Sequence, residues 1–226
     1  MSELLITSLV NVLSEIHNDP SILKKNDAVV KAKLQSQGKK DSQGTGNQVT
    51  PQETSFAILL EKYGFTFISK EKKNDHLIYI EANDLNDGLY YIYQVNGSQA
   101  SIDFAAFHLV KKAIVKQFNF DLKHTTNNIF YLNDGWFHKD IIYIVSWSEK
   151  KTLKSFIGLG QNIPSKEDSE RMEKLLQIKK TMNTTENKKV GSLITYIRFA
   201  NRYSCEKFDT NFTKENFEKL LSYIRT

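Results

Sequence analysis

Two acidic residues and one lysine frame the chemical question. Asp103 lies in Ser101-Ile102-Asp103-Phe104, a carboxylate between apolar side chains, and Asp121-Leu122-Lys123 sits inside a later run rich in Ile, Val and Phe. The stretches 101–110 and 113–123 read as an antiparallel hairpin turning through Lys111, Lys112 and Ala113, with Val110 facing Ile114. In that register Phe104 meets Phe120, Ala106 meets Phe118 and Ile102 meets Leu122, an apolar face, because side chains alternate along a strand. The other face carries Ser101, Asp103 and Ala105 against Asn119, Asp121 and Lys123, so Asp103 stands across from Asp121.

Like charges directly opposed destabilise a sheet by a few tenths to about 1 kcal/mol, and more when half-buried, unless a cation or a shared proton intervenes. A hard divalent ion resolves the conflict: Mg²⁺ takes one or two carboxylates, with phosphate oxygens and water completing its octahedron. Lys123, two residues beyond Asp121 and hence on its face, places an ammonium where it can hold or polarise a water attacking a phosphate. The plainer alternative is a solvated face on which Lys123 merely neutralises the two acids.

The elements that must position these residues form a helical, then sheet, then helical chain. Apolar residues at Leu5, Leu9, Val12, Leu13 and Ile16 predict a helix over 3–17 with Ser2 as N-cap, and a second helix covers 21–35. Residues 36–48 lose every apolar side chain and read as a flexible loop. Thr50, Pro51 and Glu53 form a capping-box start for a helix that ends at Gly64. Strands are expected at 76–82, 89–95, 101–110, 113–123 and 140–147, a turn within 127–140, and helices over 164–180 and 213–225. Residues 190–200 are ambiguous between strand and helix. The fold class is therefore α/β, a central mixed sheet flanked by helices. The chain is organised as one domain, with an N-terminal arm and loop at 1–49, a core at 50–147 and a C-terminal region at 148–226.

Composition narrows the classes further. A 226-residue chain that is 40% hydrophobic can close one core. No apolar run approaches the roughly 20 residues a membrane span requires, and the N-terminus lacks the basic start of a secretory signal, so a cytoplasmic protein with no membrane partner is expected. Cys205 is the single cysteine, which excludes a disulfide framework and a cysteine zinc site; burial as an apolar filler is the expected role. His108, His124 and His138 lack the spacing of zinc ligands. The net charge of +5 mildly favours a polyanionic partner.

Ile102-Asp103 followed by Asp121-Leu122-Lys123 resembles the active-site motif of the PD-(D/E)XK nucleases, with Ile102 where the motif usually has Pro. Gln94-Val95-Asn96-Gly97-Ser98-Gln99 before the first acid, and Asp121 to Thr126 around the second, are similar to type II restriction endonucleases of the EcoRV/HincII-like branch, over roughly residues 50–147. The resemblance implies a restriction-endonuclease-like core in which Asp103 and Asp121 ligate Mg²⁺ and Lys123 serves the nucleophile. Glu53 is either an added acid or only a capping residue. By the same resemblance Gln94, Asn96, Ser98 and Gln99 touch the minor groove, although they also suit a simple hairpin turn. Asn133, near the packing residue Trp136, is a further candidate DNA contact. Lys188 and Lys189, in the polar stretch 181–192, are candidate phosphate contacts, or part of a solvated loop.

The implied activity is Mg²⁺-dependent, sequence-specific hydrolysis of double-stranded DNA to 5′-phosphate and 3′-hydroxyl ends, by a homodimer matched to a palindrome and paired with a companion DNA methyltransferase. The amphipathic helix at 3–17 is a candidate dimer element, or a core element. A repair or junction nuclease of the same superfamily, or a DNA-binding module without catalysis, are the alternatives.

Overall fold

Alternation along the strands sorts apolar side chains onto both faces of one mixed sheet. The computed structural model describes residues 2–38, 49–69, 85–94, 102–133, 136–182, 189–190, 193–194 and 201–226. Along these residues run α1 (Glu3–Asn18), α2 (Ala28–Gly38), α3 (Pro51–Lys62), β1 (Thr66–Phe67), β2 (Gly88–Tyr93), β3 (Phe104–Val110), β4 (Ala113–Thr125), β5 (Ile129–Asn133), β6 (Ile141–Glu149), β7 (Thr152–Leu159), α4 (Lys166–Met182), β8 (Lys189–Val190), β9 (Leu193–Ile194), β10 (Asn201–Ser204) and α5 (Thr210–Arg225). Six strands form the main sheet in the order β1-β2-β3-β4-β6-β7. The β1–β2 and β4–β6 pairs are parallel and the others antiparallel. The fold is α/β, as the sequence predicts.

One face carries Tyr91, Tyr93, Phe104, Ala106, Phe118, Phe120, Ile142, Ile144 and Ile157, and packs against α1, α3 and α5 in a single cluster reaching from Leu5 to Ile224. The apolar stripe of α1 (Leu5, Leu9, Val12, Leu13, Ile16) is wholly buried there, so it serves the core of its own chain. The opposite face carries Tyr143, Val145, Trp147 and Phe156. A two-stranded ribbon of β5 and β10 covers it with Phe130 and Tyr203, joined by Phe208 from the 3₁₀ turn that follows β10.

The predicted register holds at the site end of the β3–β4 hairpin, where Phe104 pairs with Phe120 and Ala106 with Phe118. It shifts between His108 and Leu109: Val110 pairs with Ala113, and Ile114 with Leu109 rather than with Val110. Lys111 and Lys112 both adopt left-handed backbone (φ 50° and 63°), which makes a two-residue turn, and a bulge at exposed Val115 absorbs the extra residue.

Other boundaries differ from expectation. The predicted helix at 21–35 splits into a 3₁₀ turn at Pro20–Lys24 and α2, because Asp27 Oδ1 accepts from the N–H groups of Val29 and Val30 and restarts the helix. Ser2 makes no side-chain cap; its hydroxyl instead lies 2.7 Å from His108 Nδ1. The stretch read as a turn at 127–140 contains β5, and β7 and β10 were not anticipated. The expected strand at 76–82 lies outside the described residues. Among the described residues no helix is long and apolar enough to cross a membrane.

Candidate active site

Asp121 and Lys123 belong to β4, flanked by β3 on one side and β6 on the other, and both point to the face that carries Tyr143 and Val145. Asp121 is 2% exposed. Asp103 sits one residue before β3, where its N–H still donates to the Phe120 carbonyl at 2.9 Å, and its Oδ2 accepts from the Leu122 N–H at 2.8 Å. The two acids therefore come together as predicted, Asp103 reaching β4 through its own carboxylate. Lys123 Nζ stands 2.6 Å from Asp121 Oδ1 as an ion pair, although the ammonium is not aligned as a hydrogen-bond donor to that oxygen.

The electrostatics of this group are those of a cation site with more negative than positive charge. Burial, then the charge of Asp121, pushes the Asp103 carboxyl up to about 7, against the opposing pull of Lys123 and the Leu122 N–H. Asp121 is also raised, by burial, with Lys123 acting to lower it. For Lys123, burial alone would favour the neutral amine, but the charges of Asp121 and Asp103 outweigh it and keep the side chain an ammonium. Near neutral pH the two carboxyls thus compete for one cation, which is the state that favours a further positive ligand.

Glu53 approaches the same region from the N-terminus of α3. The capping box is complete: Thr50 Oγ1 accepts from the Glu53 N–H, and Glu53 Oε2 accepts from the Thr50 N–H at 2.6 Å. Its other oxygen, Oε1, accepts from Tyr93 Oη at 2.7 Å. Burial and then the charge of Asp103 raise the Glu53 carboxyl. Gln94 Nε2 donates to the same Tyr93 hydroxyl, and the Gln94 N–H, on left-handed backbone, donates to the Asp103 carbonyl at 2.5 Å. Beside Glu53, Gln52 Nε2 donates to the Ile144 carbonyl at 3.0 Å and fixes α3 to β6. Tyr93 and Gln52 are the residues that sequence reasoning overlooks. The one signal is that a tyrosine within a strand of the core needs a polar partner for its hydroxyl.

Gln94 is buried directly after β2, whereas Asn96, Ser98, Gln99 and Lys188 lie outside the described residues. Asn133 ends β5 opposite Asn201, and Lys189 pairs with Ile194; the side chains of both fall outside the description. Trp136 packs edge-on against Phe137 and Tyr203, as expected of an anchor. Glu61 accepts from Tyr91 Oη at 2.6 Å and pairs with Lys33. Cys205 is buried, and burial pushes its thiol up to about 12, so it is a filler and not a nucleophile. Among the described residues no group of three or more His, Cys, Asp or Glu side chains has the geometry of a metal cluster, which leaves the Asp103–Asp121 pair as the acidic centre. Compared with protein-family models, with curated proteins and with solved structures, the chain matches none.

Proposed function

We propose that the chain is a Mg²⁺-dependent type II restriction endonuclease of the PD-(D/E)XK kind, hydrolysing phosphodiester bonds of double-stranded DNA to 5′-phosphate and 3′-hydroxyl ends. The observation that carries this reading is the pairing of buried Asp121 with half-buried Asp103, with the Lys123 ammonium 2.6 Å from an Asp121 oxygen. A purely structural arrangement would gain by replacing these groups with apolar ones, since buried charges cost more than such pairs return.

The residues present fit a hard divalent ion. Two carboxylates are the number Mg²⁺ commonly takes from a protein, and Asp121 Oδ1 is buried without an aligned donor. Asp103 and Asp121 would hold the ion, which when bound supplies charge stabilisation at the phosphate and a more acidic water. Lys123, kept cationic by its neighbours, acts as a donor and not as a base. It orients the attacking water and stabilises charge on the phosphate as the new P–O bond forms, the water's proton passing to solvent, and as the bond to the 3′ oxygen breaks, that oxygen leaving with the bonding pair and taking a proton from solvent. The Leu122 N–H holds the Asp103 carboxylate against β4. Glu53 has both oxygens engaged and serves as a brace between α3 and Tyr93.

Incubation of the purified chain with bacterial and phage DNA of known sequence in Mg²⁺ is expected to give discrete fragments. Asp121→Ala and Lys123→Ala should each lower the rate by at least about 10³-fold while leaving the circular dichroism spectrum unchanged. Discrete cutting by Asp121→Ala at the wild-type rate would refute the assignment.

A further inference from the structure

The β3–β4 and β6–β7 hairpins both turn through adjacent lysines in left-handed backbone. Lys111 and Lys112 have φ 50° and 63°, and Lys150 and Lys151 have φ 47° and 71°. Two-residue turns of this type favour Asn-Gly, because a side chain at positive φ is crowded by its own backbone. Strain of this kind at residues other than glycine collects at ligand clamps and active sites. The two turns are not equivalent. Lys111 N–H is held by Asp87 Oδ1 at 2.6 Å, a local structural anchor for the first turn. At the second turn the neighbouring acid, Glu149, is paired with Lys154 and feels the charge of Lys150 as well, and Lys150 and Lys151 are exposed, as Lys111 and Lys112 are.

Their positions along the sheet differ as well. β4 and β6 run parallel, with Lys123 beside Val145 and Thr125 beside Trp147. Lys150 follows Val145 by five residues, so at a rise of about 3.3 Å per residue it lies roughly 17 Å beyond Lys123, on the end toward which β4 runs from Asp121 to Lys123. That end also receives Gln94, Asp103 and the N-terminus of α3. Lys112 precedes Lys123 by eleven residues, which puts its turn roughly 36 Å away, at the opposite end. A displacement of about 17 Å is half a turn of duplex DNA.

We infer that Lys150 and Lys151 form a clamp on the DNA phosphate backbone about half a helical turn from the scissile phosphate. The inference rests on the nuclease reading, since it takes duplex DNA as the ligand. Lysine in place of Asn-Gly then trades ease of folding for two ammonium groups at the tip of a rigid hairpin. The chemistry is sequence-independent: two phosphate contacts that release two counterions.

The test uses the full-length chain, a fluorescent duplex of about 30 base pairs of mixed sequence, Ca²⁺ in place of Mg²⁺, and a salt titration. Lys150→Asn/Lys151→Gly relieves the strained turn, so its midpoint of thermal unfolding should rise by about 3 °C. The same variant should bind about tenfold more weakly near 0.1 M salt, with the log–log salt slope reduced by about 2. Lys111→Asn/Lys112→Gly removes the same charge at the far end and should leave affinity and slope unchanged. Wild-type affinity and slope in the first variant, or an equal loss in both, overturns the clamp while the nuclease reading stands. A wild-type chain that binds no duplex overturns the nuclease reading, and the clamp with it.

Discussion

Asp103 is held for its charge and destabilised by it. Its carboxylate accepts the Leu122 N–H, yet burial and Asp121 lift its pKa to about 7, from an ordinary value of 3.8. A raised carboxyl pKa means that the native state binds the proton more tightly than the unfolded chain does. Below the unfolded value the penalty is absent; it grows as pH rises from 3.8 through about 7 and is complete above that. Asp103→Asn keeps the acceptor for Leu122 and removes the charge. In EDTA at pH 8 it should therefore be more stable than wild type by roughly 2 kcal/mol, with the gain vanishing near pH 4. Mg²⁺ should raise the unfolding midpoint of wild type and not of the variant. Thermal unfolding across this pH range decides it, and a variant less stable than wild type at pH 8 would count against the electrostatic picture. The opposition of Asp103 and Asp121 was legible because alternation and the apolar match of Phe104 with Phe120 fix which side chains share a face. The Tyr93–Glu53 contact was not legible, since it joins positions 40 apart on a strand and a helix whose relative placement no local pattern encodes.

At the scale of elements, the sheet is tightened by a close approach at the end of β7. A Cβ on Gly160 would lie 2.0 Å from the His138 carbonyl and 2.9 Å from the Tyr143 ring, whereas at Gly64, at φ +89° after α3, nothing stands within 4 Å. Gly160→Ala should thus destabilise the fold by about 3 kcal/mol, by forcing the 138–141 segment off β7. Denaturant titration measures this, and a change under about 0.5 kcal/mol would show that the segment yields freely. Tyr143, whose hydroxyl accepts from the His138 N–H at 3.0 Å and which pairs with Asp121 across β4–β6, carries any such displacement toward the site. The helices were readable where caps are explicit, as at Thr50 and Glu53. β7 escaped because Lys154, Ser155 and Gly158 interrupt its alternation, and its inner residues are covered on one face by α5 and on the other by Phe208. β5 escaped because its partner, β10, is some 70 residues away and neither is long enough to be recognised alone.

For the whole molecule, the two-faced sheet leaves the helical layer for packing and the ribbon-covered face for the acids. Because the stripe of α1 is consumed in its own core, the homodimer that the restriction-endonuclease reading requires would have to be built from other surfaces. Sedimentation of the free chain should still give twice the chain mass, since two sites must reach the two strands of a palindrome. A monomer both free and on uncleaved DNA in Ca²⁺ would move the function toward a repair or nicking nuclease. The cluster that joins Leu5 and Leu9 of α1 to Ile157 of β7 and to Leu220 and Ile224 of α5 has one more consequence, for the order of synthesis. α5 leaves the ribosome after every other part of that layer, so α1 and the edge of the sheet stay uncovered until residues 210–225 have emerged. A nascent chain from which residues 210–225 have not yet emerged therefore leaves α1 and the β7 edge of the sheet uncovered, and on the nuclease reading the aiming of Asp121 and Lys123 for DNA cleavage waits until α5 has packed.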